Sequence, residues 1–255
     1  MGSARATCGT LCFGTTDCPS GETCFYNLPL LSCQTSQPLC TNYEKAPPIF
    51  GKFTLPTVGK GFIPGYAGGT EITVDQYGII TIPAVPPFYG ARLNSTFAAR
   101  NGQVCADIKT PDVGTPGTVV AFYIISSHED LYNGRPWWEV DFELMGKNLN
   151  QVWLSKFDNG VNDIWSGGYQ DLSKPHNEWN RYCINWSIRV KCVQWVVNGK
   201  VIRSLPLPDS WTKPLKVSFS HWVASGSATK WAGGNGTISS RIEAQIKNIA
   251  FWRTT

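Results

Sequence analysis

The sequence predicts an all-β fold built as a sandwich or a barrel. Short runs of β-favouring residues recur between turn signals, and no long amphipathic helical pattern is present. Turn formers are abundant, with 25 Gly and 17 Pro among 255 residues. Many short strands of this kind pack as two layers or close into one barrel. Six runs are expected to be strands: residues 79–82, 119–125, 138–144, 194–197, 216–219 and 241–252.

Composition narrows the functional classes. Hydrophobic residues make up 42% of the chain, which suffices for a sizeable core and excludes wholesale disorder. A formal charge of +4, dispersed along the chain, does not indicate a nucleic-acid partner. No apolar run reaches about 18 residues, so no membrane span is predicted. Only 16% of the residues are charged and 11 are Trp, which favours a neutral ligand with flat faces.

The start of the chain, residues 1–40, is predicted to be a separate disulfide-rich module. Its cysteines are dense among Gly, Thr, Ser and Pro, which is typical of a segment held by up to three bridges. Six of the nine cysteines lie there and are expected to pair among themselves: Cys8, Cys12, Cys18, Cys24, Cys33 and Cys40. Residues 41–50, with Pro47-Pro48, are predicted to be a linker, and residues 51–255 the β domain.

The remaining three cysteines allow more than one pairing. Cys183 and Cys192 flank a stretch that is predicted to be a hairpin turning near Ile188, so a cross-strand bridge between them is expected. Cys105 is then a buried free thiol, because free Cys packs as a small hydrophobe. A bridge from Cys105 to one of the other two is the competing assignment.

Cysteine usage also indicates a compartment. Disulfides persist in oxidising environments, which favours a secreted or cell-wall protein. Three Asn-X-Ser/Thr sequons, at Asn94, Asn185 and Asn235, fit that interpretation.

Three acids stand in a row in the predicted strand 138–144. Side chains alternate between the two faces of a strand, so Glu139, Asp141 and Glu143 share one face. The alternate positions carry apolar residues that a core would take: Val140, Phe142 and Leu144. Like charges at adjacent positions on one face repel, so such a row is costly and indicates a function.

Glycoside hydrolysis is the chemistry that needs such a row. One carboxylate attacks the anomeric carbon and another protonates the leaving oxygen, while a third between them can tune both pKa values. The alternatives are an exposed polar strand face or a calcium site that uses the same oxygens. Glu139 and Glu143 are roughly 13 Å apart at Cα on a flat strand. A retaining pair needs its carboxyl groups ~5–5.5 Å apart, so a concave sheet is required.

The acidic segment also resembles a known family. Residues 139–147, EVDFELMGK, resemble the signature of glycoside hydrolase family 16, which includes lichenases, laminarinases and wall transglycosylases. Similar segments are 102–109, 194–203 and the tryptophan stretches around Trp222 and Trp231. The resemblance covers about residues 50–255. It implies a two-sheet antiparallel β-jelly-roll sandwich, concanavalin A-like, whose concave sheet forms a cleft.

The resemblance also implies roles for individual residues. Glu139 would be the nucleophile and Glu143 the general acid/base, while Asp141 would control the protonation of the nucleophile. Aromatic rings pack well against the C–H faces of sugars. The candidates for substrate binding are Trp137, Trp138, Phe157, Trp222, Trp231 and Arg92. Departures are Trp138, where relatives often have Asp, Ser155, where lichenases often have Asn, and Phe157, where they have Tyr. Trp186, Trp195 and Trp252 are expected in the core.

Three functions remain open from the sequence. The first is a retaining endo-β-glucanase that acts on β-1,3 or β-1,3-1,4 cell-wall glucan, and the second a transglycosylase that transfers glucan or chitin with the same two glutamates. The third is a non-catalytic glycan-binding protein. Neither a cofactor nor a metal is implied, since two carboxylates and water suffice. The chain is expected to act as a monomer, and its module is either a carbohydrate-binding unit or a structural cap.

Overall fold

The computed structural model describes residues 22–27, 30–35, 61–66, 71–86, 90–112, 114–162, 168–189, 191–236 and 238–253. In the predicted module, the backbone of β1 (Glu22–Asn27) and β2 (Leu30–Thr35) pairs as an antiparallel hairpin. The rest of the module, its disulfides and the predicted linker 41–50 lie outside the described residues.

Within the described residues, two antiparallel sheets make up the β domain. The first sheet has eight strands: β3 (Phe62–Tyr66), β6 (Gly90–Ala99), β8 (Thr118–Ile125), β9 (Glu139–Met145), β10 (Gln151–Asp158), β11 (Val161–Asn162), β12 (Gly168–Asp171) and β16 (Leu215–Val223). Its order is β11-β10-β9-β8-β16-β6-β3, with β12 also paired to β10. This sheet carries the acidic row on β9.

The second sheet backs the first. It has seven strands: β4 (Thr73–Val74), β5 (Ile80–Ala84), β7 (Asn101–Lys109), β13 (Asn180–Ser187), β14 (Cys192–Val197), β15 (Lys200–Pro206) and β17 (Ile242–Arg253). Their order is β15-β14-β13-β7-β17-β5-β4. Among the described residues, two helices of five residues complete the domain, α1 (His128–Tyr132) and α2 (Ala228–Ala232). The all-β jelly-roll sandwich that the sequence predicted is confirmed, and each of the six predicted strands overlaps an observed one.

The core lies between the two sheets. Apolar residues at alternate positions of the facing strands form one continuous cluster. Phe142 of β9 stacks on Phe122 with ring centroids 5.9 Å apart and meets Tyr182 of the second sheet edge-on at 5.3 Å. The predicted core residues Trp186 and Trp195 are fully buried. Burial of this face leaves the opposite face of β9 for the acids.

The expected Cys183–Cys192 bridge is wrong, and the competing assignment is confirmed. Cys183 is bridged to Cys105. The hairpin itself was predicted correctly, but its register places Cys192 opposite Ser187 and Cys183 opposite Val196. Cys183 faces Cys105 directly on the other neighbouring strand, β7. Cys192 is also disulfide-bonded, and its partner is neither Cys105 nor Cys183, so the expectation that the six cysteines of residues 1–40 pair only among themselves is wrong.

Candidate active site

The acidic row lies in the middle of the first sheet. Strand β9 is paired on one side with β8 and on the other with β10, so neighbours flank its side chains on both sides. Asp141 is almost completely buried, at 3% exposure, whereas Glu139 and Glu143 are half-buried. Their face is the one turned away from the core, as the period-two alternation predicted.

A hydrogen-bonded chain connects the three acids. Asp141 is hydrogen-bonded to Glu139 through their carboxyl groups. The Oγ of Ser155, on β10, lies 2.7 Å from Oδ2 of Asp141 and 3.1 Å from Oε2 of Glu143. At the start of the row, the indole Nε1 of Trp137 donates to Oε2 of Glu139 over 3.0 Å. The chain therefore runs through the acids from Trp137 to Glu143.

The surroundings of Asp141 favour its protonated form. Burial raises its pKa well above the ordinary value, and the charges of Glu139 and Glu143 raise it further. A protonated Asp141 can donate to Glu139, which favours the ionised form of that neighbour. From the second sheet, the buried indole Nε1 of Trp195 donates to the backbone oxygen of Asp141 over 2.8 Å and ties this strand to the core.

The two glutamates occupy different environments. Burial raises the pKa of Glu139, but hydrogen bonds from Asp141 and Trp137 and the charge of Arg92 act in the opposite direction. Burial raises the pKa of Glu143 to about 8, against a hydrogen bond from Ser155. Glu139 is thus supplied with donors and a cation that stabilise its anion. Glu143 keeps a proton at neutral pH.

Aromatic rings lie beside Glu139. Trp137 stacks with Phe157 of β10 with ring centroids 6.1 Å apart, and Phe157 is paired directly with Glu139 in the sheet. Gly160, at φ 75°, donates its backbone N–H to the carbonyl of Trp137. A Cβ at Gly160 would lie 2.2 Å from the indole, so only glycine lets Trp137 occupy this place.

A second group of rings lies beside Glu143, at the other end of the row. Trp153 of β10 is paired with Glu143 and meets Trp231 edge-on at 6.4 Å. Trp231 in turn stacks on Trp222 at 6.1 Å and 16°. We call these three residues, Trp153, Trp222 and Trp231, the indole cluster. Lys147 donates to the backbone oxygen of Trp231 and so connects helix α2 to the end of β9.

Arg92 lies on β6, which is separated from β9 by the two strands β8 and β16. Its Nη1 donates to the hydroxyl of Tyr132 over 2.6 Å, and the guanidinium lies 5.5 Å from that ring's centroid. Between them and the acids, Tyr123 of β8 is hydrogen-bonded to His128 over 3.0 Å. Burial lowers the pKa of His128 to about 3 and raises that of Tyr123, so both are neutral at pH 7. Arg92 is the cation whose charge acts on Glu139.

Trp138 does not join this face, contrary to its place among the substrate-binding candidates. It is only 7% exposed and packs in the core against Trp211 at 6.2 Å. Its Nε1 donates to Asp158 over 3.0 Å. Strand alternation gives the reason, because position 138 has the parity of Val140 and faces the core, whereas 137 has the parity of Glu139.

The structure brings three further residues to the site. Sequence reasoning named Ser155 only as a departure from lichenases and gave no role to Trp153 or Tyr123. Ser155, Trp153 and Tyr123 face the acids from the strands on either side of β9. The alternation of β10 puts Trp153, Ser155 and Phe157 on one face, and this could have been predicted from the sequence. The register that pairs these positions with Glu143, Asp141 and Glu139 depends on loop lengths, so the sequence of one strand does not determine it.

No helix in the described part of the chain is long and apolar enough to cross a membrane. Over the same residues, no group of three or more His, Cys, Asp or Glu side chains is arranged to hold a metal ion.

Carboxyl groups on one sheet face, flanked by aromatic rings, are typical of glycoside hydrolases that work through two acids. The chain belongs to glycosyl hydrolases family 16, whose profile matches residues 60–243. A β-glucanase of Brevibacillus brevis is 31% identical over 123 residues, which are 46% of this chain and 43% of that protein. Crh-like protein 2 of Aspergillus fumigatus is 26% identical over 150 residues, 52% of this chain and 31% of that protein. Each match thus spans less than half of the relative's length.

Solved structures share the fold. A Bacillus licheniformis β-glucanase superposes with a TM-score of 0.63 at 18% identity, covering 82% of this chain and 97% of that chain. The Crh5 transglycosylase in complex with NAG gives a TM-score of 0.56 at 19% identity, covering 76% of this chain and 84% of that chain.

Proposed function

We propose that this chain is a retaining endo-β-glucanase that cleaves β-1,3 or β-1,3-1,4 cell-wall glucan by double displacement. Glu139 is the nucleophile and Glu143 the general acid/base. The observation that carries this proposal is the chain Trp137–Glu139–Asp141–Ser155–Glu143, in which the two glutamates have different hydrogen-bond partners. Two acids in unlike environments can serve as base-form nucleophile and acid-form proton donor at one pH.

The reaction then has two steps. The carboxylate of Glu139 attacks the anomeric carbon while Glu143 gives its proton to the leaving glycosidic oxygen. The ionised Glu143 next takes a proton from water, whose oxygen attacks the same carbon and frees Glu139. Two inversions give net retention of the β-anomer. Asp141 keeps its proton throughout and donates to Glu139 before the attack.

A transglycosylase is the second candidate, and the indole cluster favours it. Trp153 stands directly beside Glu143, the group that activates the second nucleophile. Indole faces bind pyranose rings and exclude water, so an acceptor sugar held there would compete with hydrolysis. Products made from laminarin and lichenan with and without an added oligosaccharide acceptor distinguish the two reactions. Under this alternative, Trp153→Ala lowers the ratio of transfer to hydrolysis.

Azide rescue tests the roles of the two glutamates. Glu139→Ala removes the attacking group, and activity on β-glucan should fall by several orders of magnitude. Azide should restore turnover of this variant on an activated aryl oligoglucoside and yield the α-glycosyl azide, because a single displacement inverts the centre. Glu143→Ala with azide should yield the β-glycosyl azide.

Glu243→Ala is the control, because Glu243 lies on the second sheet in an exposed ion pair with Arg241. It should keep full activity. The same azide anomer from both glutamate variants would overturn the assignment of roles. Release of no reducing ends and no transfer products from any β-glucan would leave a glycan-binding protein instead.

We extend the proposal to secretion and to action as a monomer. The three sequons differ in accessibility, since Asn235 is exposed, Asn94 half-buried and Asn185 fully buried within β13. Secretion from a eukaryotic host should therefore attach a glycan at Asn235 and none at Asn185, which mass mapping would detect.

A further inference from the structure

Ser155 occupies a place that the two-acid mechanism does not explain. Its side chain is fully buried at the centre of β10, directly across from Asp141. Its Oγ is within hydrogen-bond distance of two acids, 2.7 Å from Asp141 and 3.1 Å from Glu143. A serine hydroxyl has one hydrogen, so it can donate to only one of them at a time.

We propose that Ser155 is a positioning residue whose hydroxyl turns from Asp141 to Glu143 as negative charge moves along the acidic row during the reaction. This inference rests on the proposed function. It assigns Ser155 to the second half of the reaction, in which Glu143 is ionised. Asp141 and Ser155 then act as one hydrogen-bonded unit that donates a hydrogen bond to whichever glutamate is ionised.

Protons and charge balance in this scheme. Before the attack, Glu139 is the anion, Asp141 donates its proton to Glu139, and Ser155 donates to the other oxygen of Asp141. After the attack, Glu139 is a neutral ester and Glu143 is the anion, because its proton has gone to the leaving oxygen. Ser155 then donates to Glu143, and the carboxyl of Asp141, which keeps its proton, rotates so that its O–H donates a hydrogen bond to Oγ of Ser155. The row carries one negative charge in both states, and only hydrogen bonds are exchanged.

Among the groups around the row, Ser155 is the hydrogen-bond donor that can turn toward Glu143. Titratable groups that face the row are Tyr123 from β8, with His128 behind it, and Arg92 from β6. Tyr123 and His128 stay neutral at pH 7, and the charge of Arg92 acts on Glu139. The residues next to Ser155 on its own face of β10 are Trp153 and Phe157, which do not titrate in this range. Burial raises the pKa of Glu143, and the hydrogen bond from Ser155 opposes that rise.

The pH profile of Ser155→Ala tests the proposal. Without the hydroxyl, ionised Glu143 loses its donor, so the alkaline limb of kcat/KM on β-glucan should move up by about one pH unit, the scale of one hydrogen bond to a charged group. The acid limb should not move, because Trp137 and Asp141 still serve Glu139. Ser155→Thr keeps a hydroxyl and should restore the wild-type limb.

Ser218→Ala is the matched control. Ser218 is an equally buried serine on the same sheet, but its Oγ donates to Asn94 and to none of the acids. Its pH profile should match the wild type. An unchanged alkaline limb in Ser155→Ala, or the same shift in Ser218→Ala, would overturn the proposal.

A titration without substrate separates this inference from the proposed function. In the full chain labelled with ¹³C at glutamate carboxyls, Glu143 is assigned by its loss in Glu143→Gln. Its midpoint should rise in Ser155→Ala relative to wild type. If the wild type acts on no glucan, the proposed function fails, and the titration still decides whether Ser155 stabilises the anion of Glu143. An unchanged midpoint overturns the role of Ser155 even in an active enzyme.

Discussion

Asp141 influences the ionisation of the two glutamates on either side of it. It is more deeply buried than either glutamate and lies between them, so its charged form is opposed by desolvation and by two like charges. Both effects favour its neutral form, which can donate a hydrogen bond within the row and adds no third charge. Three carboxyl groups can lie in one row because they need not all be ionised at the same time.

The activity should depend on pH through Glu143. In the proposed mechanism Glu143 works as an acid, so it must be protonated for the first step, and its pKa is raised to about 8. kcat/KM on β-glucan should be retained below that value and fall as pH rises through it. An aryl oligoglucoside with a good leaving group needs no proton in this step, so its kcat/KM should stay level across the same range. If kcat/KM fell in the same way with both substrates, the alkaline fall would be due to a group other than Glu143.

At the scale of elements, the alternation of side chains between the two faces of a strand was the most informative feature of the sequence. It predicted that the three acids share one face of β9, and it explains why Trp137 and Trp138 point in opposite directions. What one strand cannot reveal is its register against the next. Cys183 pairs with Cys105 because β13 lies beside β7 with these two residues opposite, and Ser155 meets Asp141 for the same kind of reason.

The turn after β10 sets the position of Trp137. Gly160→Ala puts a methyl group where the indole now lies, and its φ of 75° adds backbone strain. Displacement of Trp137 removes the donor to Glu139 and the indole that we propose as a sugar-binding surface. KM for β-glucan should rise about tenfold, and the acid limb of kcat/KM should move to higher pH because the anion of Glu139 loses a hydrogen bond.

Gly199→Ala is the control for strain alone. Gly199 also has a positive φ, 80°, but its Cβ would meet open space in the β14–β15 turn of the second sheet. It should lose stability without a change in KM or in the pH profile. If Gly160→Ala behaves in the same way, Trp137 does not contribute to substrate binding.

At the scale of the whole molecule, the first sheet carries the site, and the second sheet supports it through contacts across the core. The first carries the acids, and the second supplies Trp195, whose indole donates to the backbone of Asp141, and Tyr182, whose ring packs on Phe142. The Cys105–Cys183 bridge lies in the second sheet, in a small cluster with Val196 that is separate from the main core. Stability of the scaffold and chemistry of the site should therefore be separable by mutation.

Removal of this disulfide should cost stability and leave catalysis intact. The bridge joins residues 78 positions apart, and a loop of that length corresponds to about 4.5 kcal/mol of unfolded-state entropy, with 2–5 kcal/mol typical for a native bridge. The variant Cys105→Ala/Cys183→Ala should show this loss in chemical denaturation. Its kcat and KM should stay within about twofold of wild type at temperatures where it is folded, since the acids lie on the other sheet.

Val201→Ala measures the part of that loss that comes from packing alone, because Val201 packs against the same cluster without a covalent link. The double cysteine variant should lose clearly more free energy of unfolding than this control. Reductant provides a second check: it should destabilise the wild type by more than it destabilises the double variant. Equal losses in the two variants would mean that the bridge adds nothing beyond packing. A fall in kcat of the folded double variant would mean that the second sheet positions the acids through more than the indole of Trp195 and the ring of Tyr182.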